Sequence, residues 1–389
     1  MKYFKVFLNK DEYNAFRFSA DYVEPHISKI ESEDHIHYDD PIYQYSKIPL
    51  TFEILEDCFI SIRLNGYPIS YSKNGGPYIA VENEEYFNLD VSTGDEVSIV
   101  GENGIPAGST YAPDQCMMIG NYDENEQVYT LANFNVKGNI MSLYYGHNFE
   151  NKFSFPENGR FTWLFAECHG LISSKNLVLP ATDLTGTDEC YAYMFYNCTS
   201  MIDAPVLPAT TLNSSCYNGM FYGCSSLKTA PELPAMTVYG GSYSYMFGGC
   251  TSLTTAPELP ATTIYGRSYY YMFSGCTNLT KAPTILPAMT LYTDCYSSMF
   301  AGCTSLTTAP ILPATTLANY CYAYMFQNCI SLNYIKAMFI TYESRGVQGW
   351  TRGITSTTGI FVKNSAANWS DKTGEDGVPS GWTIETTSE

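Results

Sequence analysis

The sequence predicts a mainly β chain with short helical turns, in which a small β-sandwich domain precedes a solenoid of short repeats. Three observations carry this prediction. A unit of about 26 residues recurs through the second half, short alternating β segments fill much of the first half, and turns rich in glycine and asparagine separate those segments. Since one short repeat cannot bury its apolar face alone, the repeats are expected to stack around one elongated core.

One phenylalanine anchors each repeat. Successive anchors are 26 or 27 residues apart, and a looser copy of the unit lies 30 residues upstream of the first tight one. Strand-like pairing between coils would add about 4.8 Å per coil, so about seven coils are expected to form a short rod. The anchors are Phe165, Phe195, Phe221, Phe247, Phe273, Phe300 and Phe326.

Each unit combines one apolar face with two proline corners. Tyr217, Met220, Phe221 and Cys224 follow the i, i+3, i+4, i+7 spacing, which predicts that they share one face of a short helix. Gly223 stands where such a helix would end. The Ala-Pro and Leu-Pro pairs that follow exclude a long helix and a central strand. One short helical turn, a brief extended segment and kinked corners are therefore expected in each unit.

The sequence pattern predicts four segments in the chain. Before the repeats, short strand patterns separated by turn residues predict the β-sandwich. After them, two strand patterns together with Trp350, Trp369 and Trp382 are expected to cap the last open coil. The predicted segments are an N-terminal arm for attachment, 1–45; the β-sandwich domain, 46–132; the solenoid, 133–340; and a C-terminal β cap, 341–389.

The charge balance excludes two classes of partner. The chain has 39 acidic and 20 basic residues and a formal net charge of −19. An acidic protein repels phosphate backbones and anionic lipids, so neither nucleic acid nor a membrane surface is an expected partner. No apolar run is long enough to span a bilayer, so no membrane insertion is expected. The apolar run after Met1 is too short for a signal peptide, so standard export is not expected for the sequence as given.

Eleven of the 13 cysteines fall in two repeat columns. They could form a disulfide ladder between coils, or be buried thiols that fill small apolar spaces. The second interpretation is favoured, because one column has an odd count and side chains in a stacked column point the same way. Such thiols suit assembly in a reducing cytosol, and no Cys-x-x-Cys pair suggests zinc. The columns are Cys168, Cys198, Cys224, Cys250, Cys276, Cys303 and Cys329, and Cys190, Cys216, Cys295 and Cys321.

No catalytic constellation is evident, so the chain is expected not to be an enzyme and to need no metal or cofactor. His35 and His37 with nearby acidic residues could bind a metal, but a solvated arm accounts better for them. Cys168 and His169 are adjacent in the chain, and adjacent residues rarely face each other as a nucleophile and its base do. No Gly-x-Ser-x-Gly or Walker pattern occurs, and acidic pairs within the repeats are too sparse for glycoside hydrolysis.

Tyrosines provide the candidate ligand-binding surface. The position two residues before the anchor is often tyrosine and is predicted to face away from the buried side of the unit. An uncharged ridge of tyrosines suits carbohydrate or protein partners, because each ring offers a flat apolar face and a hydroxyl. The alternative is that these rings only pack over neighbouring coils. The candidate residues are Tyr193, Tyr245, Tyr271 and Tyr324, and the adjacent Tyr196, Tyr222 and Tyr270.

The repeat pattern Phe-x-x-Cys-[Ser/Thr]-Ser-Leu-x-x-Ala-Pro-x-Leu-Pro, over about 160–340, resembles the BspA-like leucine-rich repeats. The resemblance implies a solenoid of leucine-rich-repeat type that serves adhesion or recognition. The methionine before the anchor and the two prolines per unit depart from the common pattern. The β-domain, the repeats and a Val-Pro-x-Gly-Trp-Thr tail at 378–383 together resemble proteins of gut Bacteroidales and their phages.

Four functions are weighed on these observations. The favoured one is a phage virion protein, a tail or head fibre for receptor recognition, made in the bacterial host cytoplasm. Its partners would be a host-cell surface glycan or protein, and other virion proteins through residues 1–132. The alternatives are a bacterial cell-surface adhesin and an architectural virion decoration, while a glycan hydrolase is the least favoured. A homo-oligomer is left open, since no heptad pattern specifies one.

Overall fold

The computed structural model describes residues 41–63, 68–81, 86–101, 117–123, 128–155, 161–369 and 372–387. Residues 1–40 of the predicted arm, with His35 and His37, lie outside the described residues, as does Cys116. The described chain consists of strands and turns with few helical residues, and the predicted fold class is confirmed.

Within the described residues, a short helix and nine strands precede the repeats. Alternating apolar residues explain the strands, as in β1, where Leu50, Phe52 and Ile54 are all buried. The elements are α1 (Pro41–Ser46), β1 (Leu50–Ile54), β2 (Cys58–Arg63), β3 (Ile69–Lys73), β4 (Ile79–Val81), β5 (Tyr86–Val91), β6 (Glu96–Gly101), β7 (Met117–Asp123), β8 (Val128–Leu131) and β9 (Phe134–Asn139).

The nine strands fall into two sheets. Strands β5, β2, β7 and β8 form an antiparallel four-stranded sheet in that order. The other five strands belong to a larger sheet in which β1 lies between β6 and β9, with β3 and β4 beyond β6. Ile60 of the first sheet and Phe52 of the second belong to the same apolar core.

The larger sheet crosses the predicted boundary at residue 132. Its sixth strand, β10 (Leu171–Val178), comes from the beginning of the repeat region and pairs in parallel with β9. A short helix, α2 (Ser142–Tyr145), and a single 3₁₀ turn, Gly146–Asn148, lie between these two strands. The ring of Phe52 lies 6.4 Å from that of Phe165, the first anchor, so the sandwich core continues into the solenoid core.

The segment around each anchor is a ribbon of turns, where the spacing had predicted a short helix. Alternate N–H groups donate to the residue three positions back, as Met272 does to Tyr269 at 3.3 Å. The N–H groups between them donate to the next coil, as Phe273 does to Met299 at 2.9 Å. Every fourth residue has a positive φ, which interrupts helical geometry, as at Tyr271 and Gly275. We call this segment the turn ribbon.

Parallel stacking continues past the predicted end of the solenoid at residue 340. Phe326 donates its N–H to the carbonyl of Trp350, which therefore occupies the anchor position of a further coil. Beyond it, Trp369 stacks on Phe339 with ring centroids 4.4 Å apart. A parallel three-stranded sheet accompanies these coils and consists of β13 (Tyr334–Ala337), β14 (Ile360–Asn364) and β15 (Thr383–Thr387), after the two short strands β11 (Thr237–Val238) and β12 (Thr263–Ile264).

The left-handed position that closes each ribbon generates a testable prediction. Gly249 has a φ of 73°, and an added Cβ would meet its nearest atom at 3.6 Å, so space is available and only the backbone conformation is costly. Gly249→Ala should destabilise the fold by about 1 kcal/mol. Gly249→Asn should cost less, because Asn197 and Asn328 occupy the same position in other coils. Urea unfolding measures both, and equal costs would contradict the backbone explanation.

Burial of thiols in the core predicts a loss of stability at alkaline pH. Burial raises the pKa of Cys276 and of Cys329 to about 12, whereas an unfolded thiol titrates near 8.5. Below about pH 8.5 both thiols are protonated in the folded and the unfolded chain, so their burial does not reduce stability. As the pH rises from 8.5 towards 12, the unfolded chain loses these protons first, and the folded state becomes less stable. Between pH 8.5 and 10.5 the ionisation of Cys276 and of Cys329 on unfolding should each lower the free energy of unfolding by roughly 2–3 kcal/mol. Urea titrations under reducing conditions test this, and the double variant Cys276→Ser/Cys329→Ser should show a smaller fall.

Candidate functional site: an aromatic ridge on the solenoid

The turn ribbon sorts side chains between the core and the surface. In one coil, Tyr269 and Phe273 are fully buried, while Tyr271 between them is only half-buried. Tyr271 has a φ of 55°, and the same left-handed conformation recurs two residues before the anchor in the neighbouring coils. The tyrosines at this position therefore face outward, although a turn ribbon places them there and not a helix, whereas Ser298 at the same position is buried.

The ridge begins with a tryptophan. The ring of Trp163 stacks on Tyr193 with centroids 4.3 Å apart and an interplanar angle of 11°. Trp163 also meets Tyr196 edge-on at 5.2 Å. Tyr196 in turn stacks on Tyr222 at 5.4 Å, with their ring planes 6° apart. Sequence reasoning missed Trp163, although its position two residues before Phe165 was the signal that could have identified it.

The contacts continue across the next two coils. Tyr222 meets Tyr245 edge-on at 6.3 Å, and Tyr245 stacks on Tyr271 at 5.2 Å. Tyr270 contacts Tyr245 at 5.4 Å and Tyr271 at 4.5 Å, both edge-on. Six of the seven predicted tyrosines therefore join one continuous surface. We define the tyrosine ridge as Trp163, Tyr193, Tyr196, Tyr222, Tyr245, Tyr270 and Tyr271.

Tyr324 lies apart from the tyrosine ridge. The intervening coil has Ser298 at this position, and its side chain is buried. The Tyr324 hydroxyl accepts a hydrogen bond from the side-chain amide of Gln348 at 2.8 Å, and its ring lies over Gly349. Its proposed binding role, like that of the other candidates, stays a prediction.

Glycines provide space for the rings. Gly219 occupies the ridge position of its coil, and a Cβ there would overlap the ring of Tyr193 from the preceding coil. A Cβ on Gly248 would lie only 2.8 Å from the ring of Tyr222. Where a coil has glycine instead of an aromatic residue, the ring of the preceding coil thus occupies the space that a side chain would fill.

Burial holds three hydroxyls of the ridge in their protonated form. Burial, together with the neighbouring hydroxyls of Tyr245 and Tyr271, raises the pKa of Tyr270 to about 12. Burial is also the main cause that raises the pKa of Tyr193 and of Tyr196. Protonated phenols donate and accept hydrogen bonds but are poor bases.

Few charges border the ridge. The guanidinium of Arg267 lies 5.8 Å from the ring of Tyr270 and 3.5 Å from the carboxylate of Asp294. At the other end, Glu167 accepts a hydrogen bond from Asn197 at 3.0 Å and lies 3.2 Å from His169. Arg267 is thus paired with an acidic partner at one end, and Glu167 is hydrogen-bonded at the other, so the surface between them is mainly aromatic.

A second set of exposed tyrosines escaped sequence reasoning. Tyr239 and Tyr265 stack 5.0 Å apart with an interplanar angle of 5°, and Tyr292 follows at 5.4 Å. Their side chains are 36–42% exposed. The signal was their constant position eight residues before an anchor phenylalanine. We call Tyr239, Tyr265 and Tyr292 the outer ladder.

The predicted buried cysteines have a more specific role than filling space. The described cysteines are buried and form no disulfide with one another. In the longer column the six thiols that follow Cys168 donate to the carbonyl of the anchor phenylalanine in the preceding coil, at 3.0–3.2 Å. These pairs are Cys198 with Phe165, Cys224 with Phe195, Cys250 with Phe221, Cys276 with Phe247, Cys303 with Phe273 and Cys329 with Phe300.

Of the two chemical sites that the sequence suggested, His35 and His37 lie outside the described residues, and His169 has partners of its own in the structure. His169 contacts the Thr199 hydroxyl at 3.2 Å and the Glu167 carboxylate. Within the residues described, no three histidine, cysteine or acidic side chains form a cluster that could hold a metal ion. The same part of the chain contains no helix long and apolar enough to cross a membrane.

Comparison with known proteins identifies the repeat. Residues 243–343 match the family described as BspA type leucine rich repeat region, in six copies. This part of the solenoid is a BspA-type leucine-rich-repeat region. The coils upstream of residue 243 have the same turn ribbon and hydrogen-bond alternation as the matched coils. Repeats of this type indicate a surface or adhesion-type protein. No curated protein and no solved structure matches the chain significantly.

At a ridge position with left-handed backbone conformation, a glycine variant should be more stable than an alanine variant, which reverses their usual order of stability. Tyr245 has a φ of 57°, and Gly219 occupies the same position one coil earlier. Both Tyr245→Gly and Tyr245→Ala lose ring stacking worth about 1 kcal/mol. Only glycine also relieves the left-handed strain, so the glycine variant should unfold at a higher urea concentration than the alanine variant. The opposite order would show that the backbone relaxes to negative φ.

Proposed function

We propose that this chain is a non-enzymatic virion protein, a tail or head fibre that recognises a host-cell receptor through its tyrosine ridge. The observation that carries the proposal is the continuous contact of seven aromatic side chains across neighbouring coils. Such a surface offers apolar faces and protonated hydroxyls without charge, which fits a surface glycan or protein.

The ridge is prepared for binding before a ligand arrives. Tyr222 is 36% exposed, and the other tyrosines of the ridge are half-buried, so each ring already has contacts that fix its orientation. Tyrosine has few rotatable bonds, and stacked rings lose little further freedom when a ligand covers them. A rigid aromatic surface therefore binds at a low entropic cost.

The virion assignment rests on the combination of β-domain, repeats and the tail at 378–383, which resembles phage and Bacteroidales proteins. In this proposal residues 1–132 attach to other virion proteins, and the solenoid carries the recognition surface. The alternative is a bacterial cell-surface adhesin that uses the same ridge. Antibodies against the chain would distinguish them: labelling of purified phage particles supports the virion role, and labelling restricted to bacterial cells supports the adhesin.

Binding to intact gut Bacteroidales cells tests the recognition role. Labelled full-length protein should bind particular strains, and Tyr245→Gly/Tyr271→Gly should weaken this binding about tenfold or more, since buried aromatic contacts dominate binding energy. Glycine is chosen because Gly219 already occupies the ridge position. The matched control is Tyr239→Ala/Tyr265→Ala in the outer ladder, which should change affinity less than twofold.

Three results would count against the proposal. Absence of binding to every strain tested would contradict receptor recognition and favour an architectural decoration. A loss of binding in the outer-ladder control alone would place the site elsewhere. Unchanged binding by the ridge variant would exclude the ridge. Substitutions are preferred to deletion of residues 1–132, because β1 of that segment pairs with β9 in the larger sheet.

A further inference from the structure

The shorter cysteine column holds small hydrogen-bonding side chains. Where two middle coils have serine, the hydroxyl donates to a carbonyl: Ser242 to Asn213 at 2.7 Å, and Ser268 to Val238 at 2.9 Å. The position therefore accepts either a hydroxyl or a thiol in a fully buried place. The cysteines of this column are Cys190, Cys216, Cys295 and Cys321.

The thiols of Cys190 and Cys216 both point to the carbonyl of Thr187, at 2.9 and 3.6 Å, but their sulfur atoms also face each other. Their Sγ atoms lie 3.8 Å apart, in the coils anchored by Phe195 and Phe221. By contrast, the thiol of Cys321 points to the carbonyl of Gly346 in the following coil, at 3.7 Å. The thiols of the longer column donate to carbonyls of the anchor phenylalanines.

The backbone brings these two residues within bridging range. Tyr191 donates its N–H to the carbonyl of Cys216 at 2.9 Å, so the two cysteines lie side by side on neighbouring coils. Coils paired in this way are about 4.8 Å apart. A disulfide joins Cα atoms that are about 4.4–6.8 Å apart. Since the sulfur atoms are closer together than paired coils are, the two side chains lean towards each other.

We propose that Cys190 and Cys216 form an oxidation site that a small-molecule disulfide converts into a covalent link between two neighbouring coils. The Cys216 thiolate attacks one sulfur of the oxidant, breaks its S–S bond and releases one thiolate, which takes up the proton that Cys216 lost. The Cys190 thiolate then attacks the Cys216 sulfur, displaces the second thiolate, and its own proton goes to that leaving group. The protein loses two electrons and two protons, and the oxidant becomes two thiols.

Cys216 is the better first nucleophile of the pair. The neighbouring Cys190 thiol and the N–H of Asn213, which lies 3.3 Å from the Cys216 sulfur, lower the pKa of Cys216, while burial opposes them. Both side chains are fully buried, so the oxidant reaches them only when these coils open locally. The link therefore forms slowly in the folded protein, and once formed it prevents the two coils from separating.

Thiol counting and peptide mapping test the proposal on the full-length protein. After prolonged incubation with oxidised glutathione at mildly alkaline pH, with low urea to promote local opening, two of the 13 thiols should be lost. Peptide mass spectrometry under non-reducing conditions should find one link, Cys190 to Cys216. Cys190→Ser and Cys216→Ser should each abolish it, and both should fold because serine occupies this column at Ser242 and Ser268.

The second pair of the same column is the matched control. Cys295→Ser/Cys321→Ser should leave the loss of two thiols unchanged, because the Cys321 thiol points to the carbonyl of Gly346 in the following coil. Retention of all thiols, a link between other residues, or glutathione adducts without an internal link would each overturn the proposal. Receptor binding is not measured in this experiment, so its outcome is independent of the proposed function.

Discussion

Stacking of the anchor phenylalanines is the interaction on which the rest of the structure depends. From Phe165 to Phe326, successive rings are 5.5–5.9 Å apart, with interplanar angles of 2–9°. Every ring in this column is fully buried. The column begins at Phe52 of the sandwich and ends at Trp350 of the cap, so it connects three regions that the sequence suggested as separate segments.

Two further columns keep the phenylalanines in register. The buried tyrosines four residues before the anchors stack in the same way, as Tyr191 does on Tyr217 at 5.7 Å. The cysteine three residues after each anchor donates to the carbonyl of the preceding anchor, as Cys224 does to Phe195. A slip of one residue between coils would break all three columns together, which is why one repeat length persists through the solenoid.

The sequence predicted the solenoid because anchor spacing is a long-range signal that local conformation cannot disguise. The spacing of apolar residues within one unit did not distinguish a helix from a turn ribbon. An i, i+3, i+4, i+7 pattern also fits a chain with a left-handed residue at every fourth position. Gly219 and Gly223 indicated such positions, but Tyr245 and Tyr271 do not, because tyrosine has no preference for positive φ. Hydrogen bonds from each ribbon to the next coil impose that conformation against the local preference.

Features that keep a constant position relative to the anchors could be predicted from the sequence, and features that do not could not. The ridge tyrosines were found because their position relative to the anchor is constant, whereas Trp163 lies in a coil whose spacing is irregular. The pairing of β10 with β9 was not foreseen, since a parallel strand contributed from the first repeat leaves no turn signal between the two partners.

The continuous core also determines how the ridge can act. Because each ridge residue follows a turn whose other side chains are locked into the stack, neighbouring rings keep a separation close to that of the anchor phenylalanines, as Tyr245 and Tyr271 do at 5.2 Å. The spacing between neighbouring ridge rings is therefore determined by the core before any ligand binds. Extended partners with a matching period can contact several coils at once, and each further coil adds affinity without a new ordering cost. In the proposed recognition role, the selectivity of the surface would therefore originate in the spacing of the buried anchor rings beneath it.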